Sequence, residues 1–353
     1  MSKDKTVAVF GAYGHTGRFV VAELCARGFV PLMVGRDEGK LKEFAASYPG
    51  LVHRVASVED ADSLDRALHG ADAVVNCAGP FASTTGPVIE AALRAGIAYV
   101  DVAAEIEANY DTFALFADRA KAAGVAVVPA MAFFGGLGDL LATTAMGDWT
   151  SADEAHIAYG LSSWHPTAGT LESGTVSRDR RDGQRVRYTG GTLEYYVDGQ
   201  PLPTLEWDFP APTGPRTVLG GFTMADVITI PSHLPIPEVR TYMASEAAKD
   251  LAAPGTPAPA AVDELGRSAQ TFTVDVIVRS GDTQRRIVAS GRDIYAVSAP
   301  LAVEAVERIL DGRTQASGVA SAGEIFDAAD FLRALSAHIT LQPYEESRAT
   351  RLA

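Results

Sequence analysis

The chain has 353 residues, of which 47% are hydrophobic and 21% are charged. This length exceeds what one compact core usually serves, so the sequence predicts two domains with a cleft between them. The formal net charge is −14. Nucleic-acid binding requires clustered Lys and Arg, so this charge argues against a nucleic-acid partner.

Cysteine usage and the hydrophobic runs bear on the compartment. Two cysteines, Cys25 and Cys77, are too few for a disulfide framework and fit a reducing environment. The residues before Thr6 lack the apolar core of a signal peptide, so a cytoplasmic location is expected. The run from Val125 to Met146 is long and almost uncharged, but a proline and several glycines interrupt it, so no membrane span is predicted.

The first part of the chain alternates between short apolar runs and helical periodicity. Strands are predicted at Thr6 to Phe10, Val30 to Val34, Leu51 to Val55, Ala73 to Val75, Ala98 to Val100 and Val125 to Val128. Helices are predicted at Arg18 to Arg27, Lys40 to Ser47, Ser63 to Leu68, Val88 to Ala95 and Tyr110 to Ala123. Because alternating strands and helices require crossover connections, this pattern predicts an α/β fold with a doubly wound, Rossmann-like parallel sheet.

A glycine-rich segment follows the first predicted strand and opens a helix. Its glycines have the spacing Gly-x-x-Gly-x-x-Gly, at Gly11, Gly14 and Gly17. In this context they are expected to form a tight turn, admit a pyrophosphate and allow close packing of the helix. The phosphates would rest on unpaired N–H groups at the helix N-terminus, although an ordinary turn is the alternative. Further cofactor contacts are predicted for Tyr13, His15 and Thr16.

The end of the second predicted strand bears on which nucleotide is bound. An NAD-specific site would place Asp or Glu there to bind the ribose 2′-hydroxyl, but the chain has Arg36 followed by Asp37. Arg36 can pair with a 2′-phosphate, and Lys40 supplies a second cation. NADP(H) is therefore the preferred cofactor in this prediction. Asp37 leaves NAD(H) open, and a solvated surface arginine is the alternative reading of Arg36.

The fourth predicted strand is followed by a turn that would lie beneath a nicotinamide ribose. Cofactor contacts are predicted there for Cys77, Ala78, Gly79, Pro80 and Phe81. The chain resembles the saccharopine dehydrogenase-like (saccharopine reductase-type) family in four places. These are the glycine-rich segment, the strand ending at Val34 to Arg36, the turn from Asn76 to Phe81, and Tyr99 to Asp101 followed by Glu105. The resemblance implies NADP(H) or NAD(H) use and reduction of imines, enoyl thioesters or related acceptors.

The sequence character changes near Gly135. Apolar and polar residues then alternate, as from Phe272 to Val278, which predicts a second α+β domain with a mainly antiparallel sheet. The family resemblance implies that the C-terminal segment returns to the nucleotide domain. We therefore predict a dinucleotide-binding domain at residues 1–134 plus 317–353, and a substrate and dimerisation domain at 135–316. An exposed strand edge in the second domain favours a homodimer.

Hydride transfer to a substrate requires a nearby proton donor. The candidate catalytic residues are His165, Asp101, Glu105 and Tyr159. His165 lies in a loop and suits proton transfer near neutral pH, while the two carboxylates flank the end of the fifth predicted strand. Each residue also has a structural alternative. In these alternatives, His165 is a loop histidine held by backbone groups, Asp101 and Glu105 cap helices or face solvent, and Tyr159 belongs to the core.

The residues around Gly135 suggest the substrate pocket. Met131, Phe133 and Phe134 are predicted to line an apolar pocket, with ordinary core packing as the alternative. No Cys/His cluster has metal-ligand spacing, so no metal is expected. The leading hypothesis is NADP(H)-dependent reduction of a C=N or C=C bond of a small metabolite. A redox-neutral NAD(P)-dependent synthase and a non-catalytic cofactor-sensing or partner-binding protein remain open.

Overall fold

The computed structural model describes residues 5–349. The first part of the chain, residues 6–128, contains one parallel sheet. Its strands are β1 (Thr6–Phe10), β2 (Val30–Gly35), β3 (His53–Val55), β4 (Ala73–Asn76), β5 (Ala98–Asp101) and β6 (Val127–Val128). The strand order is β3-β2-β1-β4-β5-β6. The order reverses between β1 and β4, and such a reversal opens a crevice at the carboxyl ends of the strands. The predicted doubly wound parallel sheet is confirmed.

Helices cover both faces of this sheet. They are α1 (His15–Ala26), α2 (Glu38–Ala45), α3 (Ala61–Leu68), α4 (Phe81–Ala95) and α5 (Ile106–Ala123). Along β1, Val7 and Val9 pack in one hydrophobic cluster, whereas Ala8 and Phe10 pack in another. Because successive strand residues point to opposite faces, this alternation places one cluster on each side of the sheet.

The second part contains a ten-stranded sheet. Its strands are β7 (Glu154–Leu161), β8 (Arg185–Thr189), β9 (Thr192–Tyr196), β10 (Thr204–Asp208), β11 (Pro215–Gly220), β12 (Glu238–Ala244), β13 (Thr271–Ser280), β14 (Thr283–Arg292), β15 (Ile339–Leu341) and β16 (Glu345–Arg348). The main order is β10-β11-β12-β7-β13-β14-β15, and β16 also pairs with β14. Strands β12 and β7 run parallel, and the neighbouring pairs run antiparallel. The predicted, mainly antiparallel sheet is confirmed.

The remaining helices follow β6 in the sequence. They are α6 (Gly138–Met146), α7 (Ala168–Arg180), α8 (Asp226–Thr229), α9 (Ser245–Ala252), α10 (Ser298–Leu310), α11 (Ala322–Ile325) and α12 (Ala328–Ala334). Three of them, α7, α8 and α10, pack on helices of the first part. Helix α10 packs on α1, where Arg27 Nη1 donates to Glu304 Oε2 at 2.5 Å and to Glu307 Oε2 at 3.0 Å. The second part therefore lies directly against the helix that follows the glycine-rich turn.

The long apolar run after Val125 is divided as expected. It forms β6, a kinked turn at Phe133–Leu137 and α6, and Gly135 in the turn has a φ of +95°. Between residues 5 and 349, no helix is long and apolar enough to cross a membrane.

The C-terminal segment contacts both sheets. Val127 N donates to Gly318 O at 2.9 Å, and Ala320 N donates to Val127 O at 3.1 Å, so this segment extends the edge of the parallel sheet. Strands β15 and β16 instead pair with β14 in the second sheet. The predicted domain boundaries stay a prediction, and residues 1–4 and 350–353 of the first domain lie outside the described residues.

Candidate functional site

The glycine-rich turn between β1 and α1 is too tight for side chains at its first and last glycines. Gly11 has a φ of +86°, and a Cβ there would lie 2.9 Å from Ala78 N. A Cβ on Gly17 would lie only 2.2 Å from Gly11 O. The predicted roles of these two glycines, a tight turn and close packing of the helix, therefore have a direct steric cause.

The N-terminus of α1 offers unpaired backbone donors. Its cap residue is Gly14, no side chain accepts from its first N–H groups, and its first turn contains no acidic residue. In contrast, the side chain of the N-cap residue accepts from a backbone N–H of its own helix in α2, α3, α7 and α12, where the caps are Asp37, Asp60, Thr167 and Asp327. Free N–H groups and the helix dipole favour an anion, so this end of α1 fits a pyrophosphate.

The end of β2 presents exposed cations beside that turn. Arg36 is exposed and makes no hydrogen bond or ion pair with any residue between 5 and 349. Asp37 Oδ1 accepts from Lys40 N at 3.0 Å, so this carboxylate already caps α2. The Tyr13 ring covers Gly35, where a Cβ would lie 2.5 Å from Tyr13 Cε1. This arrangement suits a 2′-phosphate better than a free 2′-hydroxyl.

A cleft of about 1100 Å³ lies between the two parts of the chain. From the first part, it is lined by residues of the glycine-rich turn and of the β4–α4 turn, namely His15, Thr16, Cys77, Gly79 and Phe81. These five belong to the predicted cofactor contacts. Gly79 lies under α7, because a Cβ there would be 2.8 Å from Ser173 Oγ. Helix α7 of the second part thus covers the turn on which a nicotinamide would rest.

Burial shifts the pKa values of Cys77 and His15, which both line the cleft. Burial raises the pKa of the Cys77 thiol, so the thiol stays neutral and suits packing more than nucleophilic attack. Burial lowers the pKa of His15, so its imidazole stays neutral near pH 7. The His15 ring meets the Tyr295 ring edge-on, with 5.1 Å between centroids.

The structure places Asp101 away from the cleft. It is fully buried at the end of β5, where it accepts from Tyr99 OH at 2.8 Å, Ala103 N at 3.0 Å and Ala130 N at 2.8 Å. Burial raises the pKa of Asp101 to about 6. Because these donors occupy both carboxylate oxygens, the geometry favours the structural alternative, in which Asp101 holds together the chain segments at the end of the sheet.

Glu105 lines the cleft, but its carboxylate is already engaged. Oε1 accepts from Phe81 N at 2.7 Å, and Oε2 accepts from Ala82 N at 2.9 Å. These are the first N–H groups of α4, so Glu105 caps that helix from a distant point in the sequence. This arrangement favours helix capping over proton donation.

The other two catalytic candidates do not face the cleft. His165 lines a separate cavity of about 320 Å³, with Tyr295 between the two spaces. Tyr159 is fully buried, and its hydroxyl donates to both Asp226 oxygens at 2.8 Å. A core role for Tyr159 is the better interpretation of this geometry, and His165 is poorly placed to give a proton to a molecule in the main cleft.

The predicted apolar pocket is partly assembled. Phe133 and Phe134 line the cleft, whereas Met131 is fully buried and belongs to the core. The Phe134 ring stacks on Trp164, with 5.1 Å between centroids and 30° between planes. These aromatic rings give one end of the cleft an apolar surface.

Sequence reasoning missed Tyr295 as a site residue. Its hydroxyl accepts from Trp164 Nε1 at 3.2 Å and from Thr167 N at 3.3 Å, and lies 3.0 Å from Thr170 Oγ1. It therefore organises the loop that leads into α7. No spacing motif marks this tyrosine, because its partners lie more than one hundred residues away.

Comparisons with known proteins confirm the family resemblance that the sequence predicted. The family model described as "Saccharopine dehydrogenase NADP binding domain" matches residues 7–128. The chain is 30% identical over 142 residues to the "Probable mitochondrial saccharopine dehydrogenase-like oxidoreductase" of Arabidopsis thaliana, covering 36% of this chain and 31% of that protein. It is 25% identical over 147 residues to the "Saccharopine dehydrogenase-like oxidoreductase" of Bos taurus, covering 36% of this chain and 34% of that protein. These matches thus span about a third of the curated relatives' length.

A solved structure resembles the whole chain. The apo form of saccharopine dehydrogenase (L-Glu forming) from Saccharomyces cerevisiae matches with a TM-score of 0.64 and 13% identity, covering 98% of this chain and 100% of that chain. At this identity the likeness establishes a shared fold. A further relative, the "Lipid droplet localized protein" of Caenorhabditis elegans, is 30% identical over 136 residues, which are 35% of this chain and 32% of that protein.

Proposed function

We propose that this protein is an NADP(H)-dependent oxidoreductase that reduces a C=N or C=C bond of a small metabolite. The observation that carries the proposal is the uncapped N-terminus of α1, which opens into a cleft of about 1100 Å³ shared with the second part. Glycines at positions 11 and 17 admit no side chain, so the backbone itself forms the anion-binding surface. The match of residues 7–128 to an NADP-binding domain supports the same site.

The preference for NADP(H) rests on the end of β2. Arg36 is free of partners among the described residues, and Lys40 lies one helical turn along with its Nζ 3.9 Å from Asp37 Oδ2. Asp37 caps α2, which reduces its availability for a ribose 2′-hydroxyl. These observations favour the phosphorylated nucleotide, and NAD(H) is the weaker alternative.

Reduction adds a hydride to one atom of the substrate double bond and a proton to the other; bound NADPH would supply the hydride. For the proton, we propose Tyr295 in place of the candidates predicted from the sequence. Tyr295 lines the cleft, and its hydroxyl oxygen accepts from Trp164 Nε1 and Thr167 N, so its own hydrogen is the one left to donate. Thr170 Oγ1, 3.0 Å away, can pass a replacement proton from the solvent side.

Turnover measurements test this proposal directly. Purified protein is incubated with NADPH and a panel of imines, enoyl thioesters and ketones, and both the NADPH absorbance and the organic product are followed. Acceptor-dependent loss of NADPH supports a reductase. Product without net loss of NADPH would instead indicate a redox-neutral synthase, and NADPH binding with no product from any acceptor would indicate a cofactor-sensing protein.

A homodimer in the cytoplasm remains part of the proposal. Strand β10 is at one end of the second sheet, and the edge of a terminal strand can pair with a second copy. Light scattering on the purified chain tests the dimer, and fractionation of the source cells tests the location. A monomer across micromolar concentrations, or recovery with a membrane or organelle fraction, would contradict these two points.

A further inference from the structure

The cleft has an outer end formed by the C-terminal half of α7 and the segment that leads to β8. Arg178, Arg181 and Arg185 line this outer end, together with the hydroxyl groups of Thr175 and Ser177. We call this set the arginine end. A chain with a net charge of −14 thus places three guanidinium groups along this cleft. Such local positive potential favours an anion against the overall field of the protein.

Arg181 is held in a fixed position with a donor left over. Its Nη1 donates to Glu107 Oε1 at 3.2 Å and to Ser177 Oγ at 3.1 Å, and Glu107 is itself buried on α5. Its Nε is buried and has no hydrogen-bond partner. A guanidinium fixed on one side by a buried carboxylate is already ordered, so little conformational entropy is lost when its other donors bind a ligand.

Arg178 is the freest cation of the arginine end. Its side chain is exposed and, within residues 5–349, makes no hydrogen bond or ion pair. Arg185 is more engaged, because its Nη2 donates to Gln200 O at 2.6 Å and its Nη1 lies 3.6 Å from Asp198 Oδ2. Together, Arg178 and the Nη2 group of Arg181, for which no hydrogen bond is formed within residues 5–349, are the donors best placed to bind a new anionic partner.

Carboxylates lie beside two of these cations, Glu107 beside Arg181 and Asp198 beside Arg185, so Arg178 is the cation whose charge is least offset. Glu105 is committed to the N-terminus of α4, and Asp198 lies beside Arg185. Asp179 also lines the cleft, next to Arg178 in the sequence but on an exposed position of α7 where water screens its charge.

The opposite end of the cleft is apolar. Phe133 and Phe134 are 1% and 7% exposed, and the neighbouring Trp164 is 3% exposed. Val102 and Phe222 continue this surface. One cavity therefore changes from aromatic and aliphatic walls beside the β4–α4 turn to hydroxyl and guanidinium groups at the arginine end.

We propose that the substrate is an amphipathic anion, whose carboxylate or phosphate binds Arg178 and Arg181 while its apolar body lies against Phe134 and Trp164. This orientation places the apolar part of the molecule beside the β4–α4 turn, where reduction would occur. The inference rests on the proposed function for the reaction, but binding of the anion at the arginine end can be tested without turnover.

Calorimetry with three probes of equal chain length tests the binding. Octanoate, octyl phosphate and the neutral octanamide are each titrated into the full chain, with and without NADP+. We expect both anions to bind at least about tenfold more tightly than octanamide, since an ordered guanidinium forms charge-assisted hydrogen bonds with them. Tighter binding of octyl phosphate would identify the group as phosphate, and tighter binding of octanoate would identify it as carboxylate.

Matched variants locate the site. Arg178→Ala removes an exposed side chain and should weaken octanoate binding about fivefold to tenfold, while leaving octanamide binding unchanged. Arg180→Ala is the control, because Arg180 lies on the same helix, pairs with Asp111 at 2.7 Å and does not line the cleft. Arg181→Lys keeps the charge near Glu107 and loses the second guanidinium arm, so it should also weaken octanoate binding.

The outcomes separate this inference from the proposed function. Equal affinity for octanoate and octanamide, or equal weakening by Arg178→Ala and Arg180→Ala, would overturn the anion site. NADPH binding is measured on the same samples. If NADPH fails to bind while octanoate binding still depends on Arg178, the oxidoreductase proposal fails and the anion site stands.

Discussion

Replacing Arg36 with alanine should separate NADPH from NADH. Arg36 is exposed and has no partner within the described chain, so its removal should change the free energy of unfolding by less than about 0.5 kcal/mol. A hydrogen bond to a charged group contributes about 1.5–3 kcal/mol, which corresponds to roughly tenfold to 150-fold in affinity. Solvent exposure places the expected loss of NADPH affinity near the lower end of this range, at about tenfold.

Calorimetric titration of both nucleotides into wild type and variant measures this effect. NADH lacks the 2′-phosphate, so its affinity should change by less than about twofold. Lys42→Ala is the matched control, because Lys42 is an exposed cation of α2 that already pairs with Glu38 at 2.6 Å. The loss of NADPH affinity should also shrink as salt rises, since exposed charges are screened. An equal loss for NADPH and NADH would refute a 2′-phosphate site at Arg36.

Four further substitutions test other parts of the structure. Gly17→Ala would place a Cβ 2.2 Å from Gly11 O. We therefore expect a loss of about 1–3 kcal/mol in the free energy of unfolding and at least about tenfold weaker NADPH binding. Unchanged NADPH affinity in a nucleotide titration would contradict the close packing at Gly17. Burial raises the pKa of Asp226 to about 6, so the folded state binds this proton more tightly than the unfolded state does. The contribution of Asp226 to the free energy of unfolding therefore falls by up to about 3 kcal/mol as pH rises from about 4 to about 6. Asp226→Asn should remove that fall in urea unfolding, and a pH profile parallel to that of the wild type would contradict it. Tyr295→Phe should lower kcat by at least about tenfold with NADPH affinity retained, whereas His165→Ala should leave kcat unchanged. A loss of kcat in His165→Ala and none in Tyr295→Phe would identify His165 as the proton donor.

The first domain was predictable because its signals are local. The alternation of apolar runs and helical periodicity depends on neighbouring residues, and the glycines at positions 11, 14 and 17 lie within one turn. Helix starts were less accurate. The sequence predicted a helix from Val88, but α4 begins at Phe81, because Glu105 supplies acceptors to its first N–H groups from outside the helix.

The catalytic candidates were harder to predict because their surroundings come from distant segments. Asp101 is satisfied in part by Ala130 N, and the Tyr159 hydroxyl by Asp226, neither of which a local pattern reveals. Tyr295 lines the cleft, and its hydroxyl accepts hydrogen bonds from the loop before α7. That loop lies more than one hundred residues earlier in the chain. Residue type and position at a strand end were therefore insufficient to decide which groups face the cleft.

Direct titration of NADPH into the purified full chain is the measurement on which the proposed site most depends. We expect one nucleotide to bind per chain, more tightly than NADH, through the uncapped end of α1 and the cation at position 36. Absence of binding heat and of any fluorescence change with both nucleotides, in protein shown to be folded by circular dichroism, would contradict the site at α1.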